Sequence, residues 1–168
     1  MKVSSLIDLA VLVSALGSGL MAGFFFAFSV CVMKALGAVL PAQGIAAMQS
    51  INVTVINRWF LTPFFGMAVL CVLLIITALV RWREAGAAYV LAGGLLYFLG
   101  TFLVTMLFNV PRNNALAAVP ATSTEGAALW VDYLVAWTKW NHVRTIAALA
   151  SAASFTIALT RGHPNVIQ

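Results

Sequence analysis

An all-α, four-helix transmembrane bundle is the fold class predicted for this chain, and three observations predict it. Apolar residues fill 63% of the 168 positions and charged residues only 8%, against roughly 25% charged in a soluble domain. The apolar residues are gathered into four continuous runs rather than alternating along the chain, which favours helices over strands. Each run supplies roughly the 20 residues a helix needs to cross about 30 Å of hydrocarbon. Helices satisfy their own backbone groups there. The length allows one domain, 1–168, with the lipid bilayer as its first partner.

The first run covers about 6–33. It exceeds the roughly 7–15 apolar residues of a signal peptide and reads as a retained helix. Ala15, Gly19, Gly23 and Ala27 recur on it at four-residue spacing, a ridge that lets a neighbouring backbone approach, in this chain or in a second copy. Phe24, Phe25, Phe26 and Phe28 are expected to face lipid and neighbouring helices. From Pro41 to Asn57 the residues Ile45, Met48, Ile51 or Asn52, and Val55 repeat at helical spacing. They predict a short amphipathic helix on the membrane surface. It delivers Asn57, Arg58 and Trp59 to the second span, about 59–80.

The third span, about 87–108, carries Gly93, Gly94 and Gly100 as packing devices. Pro111 lacks an N–H, so the helix is expected to kink or end near Asn109 and resume briefly through Leu116. The residues from Pro120 to Glu125 form a turn, and Thr122 or Ser123 with Glu125 marks a helix start. The chain is then helical through Trp130, Trp137 and Trp140 into the fourth span, about 141–160. Ala147, Ala148, Ser151, Ala152 and Ser154 give that span a small-residue face. Short amphipathic helices thus cap one face of the bundle.

The net charge of +5, from 9 Lys+Arg and 4 Asp+Glu, falls singly at the ends of apolar runs. That pattern marks interfacial anchors rather than a nucleic-acid surface, and no nucleic-acid partner is expected. The basic link Arg81-Trp82-Arg83-Glu84, Lys2 and Arg161 place that side and both termini in the cytoplasm. The capped face is then non-cytoplasmic. Lys34, Arg58, Arg112, Lys139 and Arg144 lie on it against the charge rule, which points to function. The compact loops suit a bacterial inner membrane. Cys31 and Cys71 sit in apolar surroundings and read as buried structural thiols. Two histidines, His142 and His163, and the scattered Asp8, Glu84, Glu125 and Asp132 offer no metal site, haem on His142 alone being the weak alternative.

The residues from Phe108 to Arg144 concentrate the polar groups of an otherwise hydrocarbon-like chain, which marks a site. On a helix Tyr133, Trp137, Trp140, Asn141 and Arg144 share one face. Asn109, Arg112 and Asn113 share another, and Asn57 and Arg58 stand at the same boundary. Together they outline an aromatic-walled pocket with convergent polar groups. Each has a plainer reading. The aromatics suit an interfacial belt, the arginines snorkel, and the asparagines cap helices. His142 falls about 100° around the helix from Asn141 and is either structural or chemical.

NVPRNNALA, followed by the W-x-x-Y-x-x-x-W-x-x-WNHVRT segment and preceded by LPAQGIAAMQSIN and NRWF, closely resembles the anthrone oxygenase-like family of small membrane proteins, from about Gly17 to Leu159. The resemblance implies a cofactor-independent oxygenase that oxidises a lipophilic aromatic, anthrone-like substrate, with molecular oxygen as co-substrate and no metal. Under it His142 is the base. Arg112, Arg144, Asn109, Asn113 and Asn141 hold an oxyanion, Trp137 and Trp140 stack on the rings, and Tyr133, Asn57 and Arg58 complete the binding surface. Two other functions fit the residues. One is a non-catalytic module binding a quinone, lipid or hydrophobic metabolite. The other is a structural subunit, or a homo-oligomer joined through the Gly/Ala ridges.

Overall fold

The structure, a computed structural model, describes residues 3–161. Lys2, assigned above to the cytoplasmic side, and His163 lie outside the described residues. Among the described residues there are five helices. Helix α1 runs Val3–Ala27, passes through a π-helical turn at Phe28–Val32 and continues through Met33–Ala38. The short α2 is Pro41–Thr54 and α3 is Arg58–Val80. Helix α4 starts as Ala87–Leu95, is π-helical over Leu96–Leu103 and Thr105–Asn109, and ends as Val110–Ala117. Helix α5 is Thr124–Arg161. The four long helices are each long and apolar enough to cross a membrane, as expected of a membrane protein, and α2 is the capping helix.

The spans outrun their expected limits. The 38 residues of α5 reach about 57 Å at 1.5 Å per residue, nearly twice the thickness of the hydrocarbon. Pro111 neither kinks α4 to a stop nor ends it. The helix is already wound to longer hydrogen-bond spacing, with the Val110 N–H bonding Thr105 O, and Pro111 falls in the first turn of the closing α segment. A missing N–H is tolerated there. Asn57 caps α3, its Oδ1 accepting from the N–H groups of Trp59 (2.9 Å) and Phe60 (3.2 Å). Ser123 Oγ accepts from Gly126 N at 2.9 Å and starts α5. Gly86 takes φ +87° between α3 and α4, a left-handed turn that suits glycine.

The bundle has two storeys. The lower core joins Met21, Phe25, Phe64, Met67, Tyr97 and Phe155 from all four spans. Its glycines act as expected: a Cβ on Gly93 would meet the Phe155 ring at 2.9 Å, and one on Gly100 would meet Ala147 Cβ at 2.5 Å. The upper core gathers Met33, Ile45, Met48, Leu116, Trp130, Tyr133 and Trp137, with α2 as its lid. Gln49 of that lid donates to Leu116 O (2.8 Å) and Val119 O (3.0 Å), tying α2 to the end of α4.

Two expectations are corrected. The ridge of α1 does not pack inside the chain: Gly19, Gly23 and Ala27 are exposed, and a Cβ on either glycine would meet nothing within 4 Å. The buried stripe is instead Ser14, Ser18, Met21, Phe25 and Ser29. Ser18 meets Ser151 hydroxyl to hydroxyl at 3.0 Å, and Ser151 donates to Gly93 O at 2.8 Å. Cys71 is buried as expected, but Cys31 is exposed.

Candidate functional site: a buried arginine between the two storeys

A polar layer separates the two cores. Ser29 of α1, Thr101, Thr105 and Asn109 of α4, and Asn141, Arg144 and Thr145 of α5 are all buried. Thr101, Thr105 and Asn109 recur every four residues on α4, and Asn141 and Thr145 are four apart on α5 with Arg144 beside them, so each of these helices contributes an inward-facing row. Arg144 stands 17 residues from Arg161 along α5, about 26 Å along the axis. That is just inside the edge of a hydrocarbon core about 30 Å thick.

Arg144 keeps 5% of its surface accessible. Its guanidinium carbon lies 4.2 Å from the centroid of Phe25 and 4.8 Å from that of Trp137, between the two rings. Nε donates to Asn141 Oδ1 at 2.8 Å and Nη1 approaches Thr105 Oγ1 at 3.4 Å. No carboxylate reaches it, the one ion pair among the described residues being Arg81–Glu84. Two π faces and two neutral acceptors therefore do the work of a counter-ion.

The surrounding groups hold this arginine in place. Asn141 spends its amide on α1, Nδ2 donating to Phe25 O (2.7 Å) and Ser29 Oγ (2.5 Å). Its carbonyl is thereby aimed at Arg144. Asn113 Oδ1 accepts from both Tyr133 Oη and Trp137 Nε1 at 2.8 Å, which fixes the Trp137 ring under the guanidinium. Asn109 Nδ2 donates to Trp137 O at 3.2 Å, while its buried Oδ1 has no partner among the described residues. A buried acceptor left unpaired costs about 1–3 kcal/mol.

The predicted residues separate into two sets. Asn109, Asn113, Tyr133, Trp137, Asn141 and Arg144 come together. The others do not join them. Asn57 is the exposed cap of α3 and also donates to Thr54 O at 2.7 Å. Arg58 is exposed and lies over Trp59, 5.0 Å from its centroid. Arg112 turns back on its own helix, Nη1 donating to Phe108 O at 2.6 Å. Trp140 is half-buried and stacks on Phe108 at 3.7 Å and 9°. His142 is exposed on the outer side of α5, away from the guanidinium. Phe25, Ser29, Thr101 and Thr105 were missed. The Ser14, Ser18, Ser29 row was the available signal, since hydroxyls at helical spacing on an apolar span mark its packed face.

Two grooves flank the layer. One, of about 480 Å³, lies between α1, α2 and α3 and is walled by Phe24, Phe28, Ile51, Trp59 and Phe60. Phe28 touches Trp137 at 5.8 Å and Phe24 touches Phe25 at 5.7 Å. Two aromatic side chains thus stand between this groove and Arg144. The other, of about 380 Å³, lies between α1 and α5 and includes Ser29 and His142. Among the described residues no three His, Cys, Asp or Glu side chains assemble.

A family model described as anthrone oxygenase matches residues 57–154. The chain belongs to the anthrone oxygenase family. The matched stretch begins at the Asn57 cap and contains Asn109, Asn113, Tyr133, Trp137, Asn141 and Arg144. The α1 side of the layer, Phe25 and Ser29, lies outside it. No curated protein and no solved structure matches the chain.

Proposed function

We propose that this anthrone oxygenase family member is a membrane-embedded, cofactor-independent oxygenase of lipophilic aromatic substrates of the anthrone type. The observation that carries the reading is Arg144, a buried cation without a carboxylate partner, held between two aromatic rings. A buried charge held only by neutral partners is costly in a fold. An anionic ligand returns that cost.

The chemistry follows from the substrate class. The methylene of an anthrone lies between two aryl rings opposite a carbonyl. Loss of one proton to water gives an aromatic anthrolate, with its charge on oxygen. The Arg144 guanidinium holds that oxyanion and stabilises the anion as it forms. The anthrolate gives its electrons to O₂. Its carbanionic carbon bonds one oxygen atom, and the distal oxygen takes up a proton. The resulting hydroperoxide loses its remaining C–H proton as the O–O bond breaks, giving one quinone carbonyl and one water for each O₂.

In this reading Asn141 aims the guanidinium and Asn113 positions Trp137. The unpaired Asn109 Oδ1 accepts a phenolic hydroxyl of the substrate. The groove between α1 and α3 receives the flat rings from the bilayer, and rotation of Phe25 and Phe28 connects it with Arg144. His142 has no role in the step. The upper-storey end, capped by α2, faces away from the cytoplasm of a bacterial inner membrane, with both termini inside.

The test is anthrone-dependent oxygen uptake by detergent-purified protein, with the quinone quantified. Uptake above the uncatalysed rate, with one quinone per O₂, is the expected result. A background rate with saturable anthrone binding would favour a second reading, a non-catalytic binding module. The aromatic wall between the groove and Arg144 favours that reading, because a ligand can fill the groove without reaching the guanidinium.

A further inference from the structure

The groove between α1 and α5 carries chemistry that the oxygenase reading does not use. Val30, Met33 and Leu134 form its apolar walls, while Ser29, Lys34, Thr138 and His142 supply its polar groups. No lining residue is acidic, and Asp132, two residues before Leu134, falls on the opposite side of α5 by helical spacing. Lys34 and His142 are both exposed and make no ion pair or hydrogen bond among the described residues. Ser29 Oγ accepts from Asn141 Nδ2, so its own O–H remains to be donated.

The height of these groups along the helices is informative. His142 stands 19 residues from Arg161, about 29 Å along α5, at the edge of the hydrocarbon. Asn141, next to His142, bonds Ser29 across the helices, and Lys34 lies five residues beyond Ser29 on α1, so Lys34 stands about 8 Å further out. A donor-lined step therefore lies at the depth of ester carbonyls, with an ammonium at the depth of phosphates. Below it the surface is apolar and open. Phe26, Ile146 and Leu149 are exposed, and Gly23 has nothing within 4 Å of where a Cβ would stand, which leaves a furrow one chain wide.

We infer that this groove is a binding site for one anionic phospholipid. Its phosphate lies against Lys34, its ester oxygens accept from His142, Thr138 and Ser29, and one acyl chain lies along the furrow over Gly23. The site is independent of the oxygenase reading.

The experiment uses the full chain in nanodiscs of nine parts phosphatidylcholine to one part phosphatidylglycerol. Lipid retained on the released protein is measured by native mass spectrometry. Wild type is expected to keep one lipid, which is phosphatidylglycerol in about half of the molecules, enriched about fivefold over its share of the disc, the effect of one basic residue at a membrane surface. Lys34→Gln with His142→Gln is expected to abolish the enrichment. Lys139→Gln, at an exposed lysine of the same boundary outside the groove, is expected to keep it. Millimolar inorganic phosphate is expected to leave the lipid in place. Retention in disc proportions by wild type, or an equal loss in Lys139→Gln, would overturn the site. Displacement by phosphate would reduce it to a site for the free ion.

Discussion

The lower and upper storeys share α1, α4 and α5, with α3 only in the lower and α2 only in the upper, yet they solve different problems. The lower one sits in hydrocarbon, where lipid is as apolar as any side chain. It is held by close contact: glycine against ring at Gly93 and Phe155, and glycine against methyl at Gly100 and Ala147. Serine hydroxyls bridge α1, α4 and α5. The upper storey rises beyond the hydrocarbon and uses amphipathic packing, with Ile45 and Met48 of α2 covering Trp130 and Tyr133. Between them the helices place amides, hydroxyls and one guanidinium. Stability concentrates in the first region and chemistry at the boundary, because a buried polar group gains strength where water is excluded and its partners are fixed.

Substitutions can break or sharpen that contrast. The largest stability effect is expected at Phe155→Ala, which empties the contact with Gly93. A loss of about 3 kcal/mol is expected in detergent unfolding, with turnover per folded molecule unchanged. Asn113→Ala unpairs Tyr133 and Trp137 together. A loss of about 2 kcal/mol is expected, with a shift in tryptophan emission that Phe155→Ala does not give. Gly100→Ala forces α4 from α5 and is expected to lower stability by about 1–3 kcal/mol. Gly23→Ala is expected to stay within about 0.5 kcal/mol, and an equal effect at both glycines would erase the distinction between inner and outer ridges. The smallest effect is expected at His142→Ala, with oxygen uptake within about twofold of wild type. A hundredfold loss there would move the reaction into the α1/α5 groove.

Much of the fold was legible because the bilayer makes apolar length decisive. The four spans, a short helix at α2 and a helix start at Thr122 or Ser123 all follow from local pattern. The helix ends were less legible. Pro111 argues for a stop by itself, and only the π winding before it allows α4 to continue. The inner face of α1 was misread because Gly19 and Gly23 form a better-looking ridge than the serine row that is buried. Half of the site was readable. Tyr133, Trp137, Asn141 and Arg144 share a face by spacing alone. Phe25 and Ser29 meet Arg144 and Asn141 across more than 110 residues, a distance that no local period reports. Asn57 sits one residue before the second span, where capping was the simpler reading.

The most direct measurement is oxygen uptake with an anthrone by Arg144→Met beside wild type, with the unfolding temperature of each recorded in the same detergent. Methionine keeps the bulk between Phe25 and Trp137 and removes the charge. A loss of uptake of about a hundredfold or more per folded molecule is expected, with a modest fall in unfolding temperature, because removal of the desolvated charge offsets part of the cost of leaving Asn141 Oδ1 without its donor. Uptake at the wild-type rate would contradict the account. So would a loss of uptake no greater than the loss of folded protein.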